Sequence, residues 1–295
     1  MAQRRGSSPI PLRRNCATMA AHMLLLEKYP AFRTNQLRLE GAIAEQRDMG
    51  VMAKPKLVTI KTIVHVLYNK PEQNISDAQI KSQIDVLNKD FRASNADRSK
   101  TPAHWKGLVA DAMVEFKLAK VTRTKTGKAS FGSDEGAKKT STGGIAPITP
   151  QSHLNVWVCS LGEGLLGYAQ FPGGPAATDG VVINYLAFGT SGTAQAPYNK
   201  GRTSTHEIGH YLNLRHIWGD TPDCTGSDMV ADTPNCAGPN FGSPKGPIVT
   251  CNNGPQGGMW MNYMDYTDDA SMFMFTPQQV LRMRTTLDTA RKGLV

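Results

Sequence analysis

The sequence contains no run approaching the roughly 18 consecutive apolar residues that a membrane-spanning helix needs, so we expect no membrane span. It also contains no internal repeat of about 20 to 50 residues, which argues against solenoid and propeller architectures. What remains is an ordinary globular composition, with 40% hydrophobic and 19% charged residues. A chain of 295 residues with this composition is long enough for two subdomains around a core.

Positive charge is in excess mainly at the start of the chain. Residues 1–55 carry nine Lys/Arg against four Asp/Glu, whereas the remaining residues carry 24 against 20. No basic helix with interleaved aromatic residues follows, so the net charge of +9 does not indicate a nucleic-acid partner. A basic segment confined to one end is typical of a separable arm.

Cysteine is scarce, and its number is odd. Three of the five cysteines lie in a Gly/Pro/Asn-rich stretch that has little apolar pattern, which favours a cross-link and an oxidising, secreted location. We predict a disulfide between Cys224 and Cys251. A second pairing of Cys159 with Cys236 stays open, although Cys159 also fits a buried thiol in an apolar strand. Cys16 is then the unpaired thiol.

Residues 1–55 read as a leader that could not form a core of its own. The pattern predicts a short apolar helix over Ala17–Lys28, a break at Pro30, and a second, weak helix over Thr34–Arg47. We therefore interpret the leader as a pro-segment that precedes the folded domain.

The rest of the chain predicts an α/β (α+β) fold in two parts. Residues 56–213 should form an N-terminal subdomain with a mixed twisted sheet and two long helices, and residues 214–295 an irregular C-terminal subdomain with a terminal helix. The predicted strands are Leu57–Tyr68, Val114–Thr122, Leu154–Cys159, Leu166–Phe171 and Gly180–Tyr185, and the predicted helices are Asp77–Arg92, Arg202–Leu212 and one that opens at Pro277.

Residues 206–216 read HEIGHYLNLRH and predict a zinc site. His206 and His210 are four residues apart, so they face the same way on consecutive helical turns and can share one Zn²⁺. Glu207 is rotated away from them and can act as the general base on a water. An isolated HExxH could also be a surface helix with two solvated histidines. A third histidine at the required place, His216, has a chance probability of about one in forty with seven histidines in the chain.

The third histidine requires a turn, because one straight helix cannot present His206, His210 and His216 to the same ion. Asn213 can supply this turn, since Asn tolerates the left-handed conformation that ends a helix. Further along, Met264 lies in a turn-rich stretch two residues before a tyrosine, a pattern that matches the Met-turn beneath the zinc of metzincins.

With these motifs the sequence resembles the pappalysin family of metzincins, in particular its short prokaryotic members. The resemblance covers most of residues 57–295, and beyond the histidine motif it rests on four stretches, at 165–172 (LLGYAQFP), 217–220 (IWGD), 224–234 and 262–269. Asn213 departs from the glycine that metzincins usually have there.

The resemblance implies a secreted endopeptidase that hydrolyses peptide bonds of peptides and proteins, made as a latent zymogen. Tyr266 would hydrogen-bond the oxyanion, and Gly167, Tyr168 and Ala169 would form an edge strand that pairs with substrate. Cys16 of the pro-segment would occupy the fourth zinc position as a cysteine switch. Calcium is implied in the C-terminal half, for which the oxygen ligands we expect are those of Asp220, Asp228, Asp232 and Thr233.

The resemblance also places Asp269 at the back of the pocket that receives the residue after the scissile bond. A carboxylate there predicts cleavage on the N-terminal side of Arg or Lys. Applied to the chain itself, this rule marks Gln46-Arg47 as the autolytic activation bond, with Ala53-Lys54 second. The rival interpretations are another metzincin specificity and a catalytically silent zinc module, against which Glu207 argues.

Overall fold

The computed structural model describes residues 10–11, 13–49 and 56–295. A five-stranded mixed sheet occupies its centre. The strands are β1 (Val58–Tyr68), β2 (Val114–Lys125), β3 (Leu154–Cys159), β4 (Gly167–Ala169) and β5 (Val181–Asn184). Their order in the sheet is β2-β1-β3-β5-β4, and neighbouring strands are parallel except β4, which runs antiparallel to β5 at one edge. All five lie where the sequence predicts them, although β4 is shorter than the predicted Leu166–Phe171.

The burial of each strand follows its position in the sheet. Every residue of β3 and β5 is buried, as expected for central strands covered on both faces. Beyond Phe116, the residues of β2 are exposed or half-buried and include several lysines. Lysines on an edge strand are typical of protection from pairing with other chains. Edge strand β4 is fully buried instead, because the N-terminal part of the chain covers it.

Two helices pack close to the sheet and position the histidine motif. Helix α3 (Asp77–Asp90) begins at Ser76, whose hydroxyl accepts a hydrogen bond from the backbone N–H of Gln79, as predicted. Helix α4 (Arg202–Tyr211) carries the motif and is entirely buried. An ion pair between Arg202 and Asp90, 3.1 Å long, joins the start of α4 to the end of α3.

The N-terminal segment forms two helices, α1 (Thr18–Lys28) and α2 (Pro30–Asp48). The chain breaks between the two helices at Tyr29, next to the predicted break at Pro30. The predicted start of the second helix at Thr34 is wrong, because Pro30 is the first residue of α2, where its missing N–H needs no partner in the helix. Helix α1 packs against β4, and α2 packs against the C-terminal helix α5 (Pro277–Asp288). A small apolar cluster of Leu25, Phe32 and Phe171 joins the two helices to the sheet domain.

Residues 214–275, all of which the structure describes, contain no α-helix and no strand of the sheet. The predicted disulfide between Cys224 and Cys251 is confirmed, with a Cα–Cα distance of 5.3 Å. The alternative pairing of Cys159 with Cys236 is wrong, because both are free and buried. Cys159 lies on β3 within an apolar cluster that contains no second cysteine. None of the helices in the described residues is long and apolar enough to cross a membrane.

We predict that the double substitution Cys224→Ser/Cys251→Ser lowers the free energy of unfolding by about 3 kcal/mol. The bridge closes a loop of 27 residues in a region without regular structure, and its loss frees that loop in the unfolded chain. Urea unfolding of the full chain measures the change. A reducing agent should destabilise the parent and leave the variant unaffected, and equal stability of the two proteins would contradict the prediction.

Candidate active site

The three predicted histidines converge on one point in the interior. The distances between their Nε2 atoms are 3.2 Å for His206 and His216, 3.1 Å for His206 and His210, and 3.0 Å for His210 and His216. All three side chains are buried. Tetrahedral coordination at Zn–N distances of about 2.0–2.1 Å requires separations of roughly 3.3 Å between ligand atoms. The triangle of nitrogens therefore has nearly the size that zinc needs.

Hydrogen bonds at the opposite ring nitrogens determine which nitrogen faces the centre. Nδ1 of His206 lies 2.7 Å from the carbonyl oxygen of Tyr263, and Nδ1 of His210 lies 2.8 Å from that of Leu214. A carbonyl can only accept, so Nδ1 carries the proton and Nε2 presents a lone pair to the centre. Nδ1 of His216 contacts Oδ1 of Asp220 at 2.5 Å instead.

The turn that brings His216 to the other two histidines occurs at Asn213, as predicted. Asn213 has a φ of 74°, in the left-handed region. Next to it, the N–H of Leu214 donates to the carbonyl of Gly209 at 2.9 Å, which closes the end of α4.

The chemistry of the cluster fits a divalent cation. Burial, and then repulsion from the other histidines, lowers the pKa of His206 and of His210 well below the ordinary value, so both rings are neutral. Their Nε2 lone pairs face the Nε2 of His216 at the centre of the cluster. Nitrogen ligands in this arrangement suit Zn²⁺, which is the expected metal. With the Sγ of Cys16, the ligand atoms lie within 4.8 Å of one another.

Cys16 and Glu207 are in direct contact at the centre. The Sγ of Cys16 lies 3.4 Å from Oε2 of Glu207, which also accepts a hydrogen bond of 2.9 Å from the hydroxyl of Thr18. Burial raises the pKa of Glu207 to about 7, and hydrogen bonds from Thr18 and Cys16 oppose this rise. Burial, and then the charge of Glu207, raises the pKa of the Cys16 thiol. A bound cation would reverse the effect on the thiol, because metal ligation displaces the proton.

Tyr266 and Met264 lie beside the cluster, as the Met-turn predicts. The ring of Tyr266 is 4.9 Å from that of His216 and perpendicular to it, and its hydroxyl donates to the carbonyl of Cys16 at 3.3 Å. Met264 is fully buried beneath α4, where a β-carbon at Gly209 would overlap its sulfur. Glycine is therefore required in the middle of this motif.

Asp269 is fully buried and binds an arginine of the N-terminal segment. Its Oδ1 lies 2.7 Å from Nη2 of Arg14, and its Oδ2 accepts from the backbone N–H groups of Lys200 and Arg202 at 2.8 and 3.2 Å. The carboxylate is thus held by two backbone amides and faces a guanidinium. The sequence contained Arg14, but no spacing rule links it to a residue 255 positions away.

The N-terminal segment runs along β4 as an added strand. The N–H of Leu166 donates to the carbonyl of Asn15 at 2.9 Å, and the N–H of Ala17 donates to the carbonyl of Gly167 at 3.1 Å. Cys16 and Gly167 form a parallel bridge. The N–H of Ala169 binds the hydroxyl of Thr18 at 2.8 Å. The polar backbone groups of β4 are therefore engaged by the leader.

The side chain of Tyr168 takes no part in this pairing. Its ring is buried on the other face of the strand, 5.0 Å from the ammonium of Lys138. Of the predicted edge-strand residues, Gly167 and Ala169 engage the leader through their backbone, and Tyr168 packs in the interior.

The residues predicted to bind calcium have separate partners. Asp232 accepts hydrogen bonds from the hydroxyl of Thr276 and the N–H of Gln278, at 2.7 and 2.9 Å, at the start of α5. Asp228 accepts one of 2.6 Å from Thr233. Asp220 contacts His216. Among the residues that the structure describes, Cys16 and the three histidines are the one group of three or more side chains placed to bind a metal. Calcium binding stays a prediction.

Helix α2 is attached to the domain by a charged contact that the sequence did not indicate. Glu40 accepts two hydrogen bonds from the guanidinium of Arg282 in α5, at 2.7 and 2.9 Å. It also accepts one of 3.2 Å from the side chain of Asn213. Glu40 thereby connects the leader to the turn between His210 and His216.

Three convergent histidines, a buried carboxylate beside them and a methionine turn beneath them define a metal-dependent peptidase of the metzincin fold. The family model described as Pregnancy-associated plasma protein-A (Peptidase_M43) matches residues 149–288. An extracellular metalloprotease of Arthroderma benhamiae is 35% identical over 242 residues, which cover 80% of each chain. One of Verticillium alfalfae is 33% identical over 255 residues, which cover 83% of each chain. The chain belongs to this pappalysin family and is a metalloendopeptidase.

Two solved structures are similar over most of the chain. Mature mirolysin of Tannerella forsythia, in complex with a cleaved peptide, is 48% identical with a TM-score of 0.79, and the match covers 81% of this chain and 96% of that one. A promirolysin variant from the same organism is 43% identical with a TM-score of 0.86, and the match covers 95% and 97%. The predicted metzincin fold is confirmed.

We predict that His216→Ala loses bound zinc together with peptidase activity, because three protein ligands are the minimum for a site with an open position. Glu207→Gln should lose activity but keep zinc, since Glu207 is not a ligand. Elemental analysis and peptide hydrolysis after leader removal measure both effects. His104→Ala, an exposed histidine outside the cluster, is the control. Full zinc content in the His216 variant would refute the third ligand.

Proposed function

We propose that this chain is the latent form of a secreted zinc endopeptidase that cleaves peptide bonds on the N-terminal side of Arg and Lys. Residues 1–55 are its pro-segment, residues 56–213 its N-terminal subdomain and residues 214–295 its C-terminal subdomain. The observation that carries the proposal is the path of the leader, which puts Arg14 against Asp269 and Cys16 against the histidines.

The residues around the centre have the properties that peptide hydrolysis needs. His206, His210 and His216 would hold the zinc, which when bound polarises the peptide carbonyl and acidifies the attacking water. Glu207 takes a proton from that water and delivers it to the leaving amine. Tyr266 donates its hydroxyl to the developing oxyanion. In the latent form this hydroxyl donates to the carbonyl of Cys16.

The surroundings of Asp269 support selection of a basic side chain. A buried carboxylate that already binds a guanidinium at 2.7 Å favours Arg or Lys over a neutral residue. Tyr198 adds an aromatic face, 5.0 Å from the guanidinium carbon of Arg14. The leader therefore supplies its own arginine to the position that a substrate's basic residue would take.

The direction of the leader explains why it inhibits and is not cleaved in place. In a substrate, the carbonyl to be attacked belongs to the residue before the basic residue. In the leader, the residue that reaches the histidines is Cys16, two positions after Arg14. The leader thus runs through the cleft in the direction opposite to that of a productive substrate. Its thiol, and not a peptide carbonyl, lies at the metal position.

Latency is supported by contacts beyond the metal position. Thr18 binds the carboxylate of Glu207, and backbone bonds at Gly167 cover the edge strand. Glu40 binds Arg282 and Asn213 from the opposite end of the leader. Removal of the leader would release the base, the edge strand and the pocket together.

The relatives also support this assignment. The match to mature mirolysin leaves about a fifth of this chain uncovered, close to the length of the proposed pro-segment, whereas the match to promirolysin extends over 95% of it. The relatives from Arthroderma and Verticillium are named extracellular metalloproteases, which supports secretion of this chain.

For activation we propose cleavage of the Gln46-Arg47 bond. It lies in the last turn of α2, where the side chains of Arg47 and Asp48 are exposed. A cleft that binds extended peptides requires this turn to unwind first, which is easier at a helix end than in its middle. The second candidate bond, Ala53-Lys54, lies outside the described residues.

We predict that Cys16→Ala makes the full-length chain active, or activates it at least about tenfold faster than the parent, because it removes the leader's ligand from the metal position. Peptide hydrolysis and N-terminal sequencing over time measure both outcomes. Cys236→Ala removes a buried free thiol that does not belong to the metal-ligating group and should leave latency unchanged. A Cys16 variant as latent as the parent would overturn the switch.

We predict that Asp269→Asn in the mature enzyme reduces the preference for Arg and Lys after the scissile bond by roughly 10- to 100-fold, since a charge-assisted bond is replaced by a neutral one. Cleavage of a mixed peptide library measures this preference. Asp268→Asn is the matched control, because Asp268 is half-buried and accepts a hydrogen bond from Ser243. If the preference survives in Asp269→Asn, the pocket must be formed by other residues.

A further inference from the structure

One of the three histidines has a hydrogen-bond partner of a different kind from the other two. His206 and His210 each donate Nδ1–H to a neutral backbone carbonyl, whereas Nδ1 of His216 contacts the carboxylate of Asp220. We propose that Asp220 is a positioning residue of the metal centre, which sets the tautomer of His216 and strengthens its Nε2 as a zinc ligand. The inference rests on the proposed zinc function.

The contact is short and partly shielded from water. Nδ1 of His216 and Oδ1 of Asp220 are 2.5 Å apart, and the side chains are 1% and 22% exposed. A carboxylate at this distance keeps the proton on Nδ1 and directs the Nε2 lone pair to the centre. The negative charge of the carboxylate also increases the electron density that Nε2 offers to a cation. A neutral backbone carbonyl has a smaller effect.

The backbone turns sharply between His216 and Asp220, which brings the carboxylate back to the ring. Gly219 and Asp220 both lie in the left-handed region, with φ values of 65° and 61°. Gly219 can adopt this conformation freely, and a β-carbon there would overlap the backbone of Ser227. Asp220 has a β-carbon, but Asp adopts this conformation more readily than most residues. The bond to His216 stabilises it there.

Packing leaves the ring of His216 little freedom apart from this bond. The ring of Trp218 stacks on it at 4.4 Å with an interplanar angle of 8°, and the ring of Tyr266 meets it edge-on at 4.9 Å. These contacts hold the plane of the ring but carry no charge. Asp220 therefore contributes what the apolar neighbours cannot, a fixed proton position and a negative charge opposite the metal.

This role differs from the calcium ligation that the sequence predicts for Asp220. Oδ1 of Asp220 contacts the ring N–H of His216. Among the described residues, Asp220 does not belong to a cluster of carboxylates that could hold a metal ion. Asp228 and Asp232 bind Thr233 and the start of α5 instead. The geometry assigns Asp220 to the histidine centre.

The test compares Asp220→Asn with the matched control Asp223→Asn in the full-length chain. Asp223 is an exposed aspartate of the same loop that bonds Thr225 and not a histidine. Zinc affinity is measured by competition with a chelator, and Co²⁺ affinity by titration of the visible absorption band. We expect Asp220→Asn to weaken binding of both ions by roughly 10- to 100-fold and to shift the band, with no change in the control. Asp220→Glu, which keeps the charge, should restore part of the affinity.

The outcomes separate this inference from the function on which it rests. If the parent binds zinc and Asp220→Asn binds it equally well, Asp220 has no role at the metal and the inference is wrong. If the parent binds neither ion, the proposed zinc function fails and the inference fails with it. Unfolding of the metal-free proteins is compared in parallel, because a purely structural role would lower stability and leave the metal affinity of the folded chain unchanged. That result would also overturn the inference.

Discussion

The structure depends on the convergence of three imidazole rings in the protein interior. The Nε2 atoms of His206, His210 and His216 lie 3.0–3.2 Å apart. Three buried polar nitrogens this close together need a partner, and a cation at their centre would bind all of them. The buried α4, the left-handed Asn213 and the methionine turn beneath the helix all serve to hold these nitrogens at this separation.

The leader contacts the same groups that the proposed function assigns to substrate. Cys16 reaches the three histidines, Thr18 binds Glu207, Arg14 binds the buried Asp269, and the leader backbone pairs with the edge strand. Under the proposed function, latency and specificity share one set of contacts. Because the leader runs in the reverse direction, it can occupy all of them without presenting a peptide carbonyl for attack.

Local patterns were sufficient for most of the secondary structure and for the three histidines that converge. Alternating apolar residues located all five strands, and helical spacing located α3, α4 and α5. The sequence placed the start of α2 at Thr34, whereas the helix begins at Pro30. The cause is local, because proline can be the first residue of a helix as well as interrupt one. The pairing of Cys224 with Cys251 also followed from the lack of apolar pattern between them.

The sequence by itself determined which residues could ligate a metal, because the 3.6-residue period and one left-handed asparagine relate residues that are at most ten positions apart. Only the tertiary structure decided the partners of these residues. Arg14 meets Asp269 across 255 positions and Glu40 meets Arg282 across 242, distances over which no periodicity acts. Even the short step from His216 to Asp220 depended on two consecutive left-handed residues. Gly219 lies so close to the backbone of Ser227 that a β-carbon would not fit, and no local pattern indicates this contact.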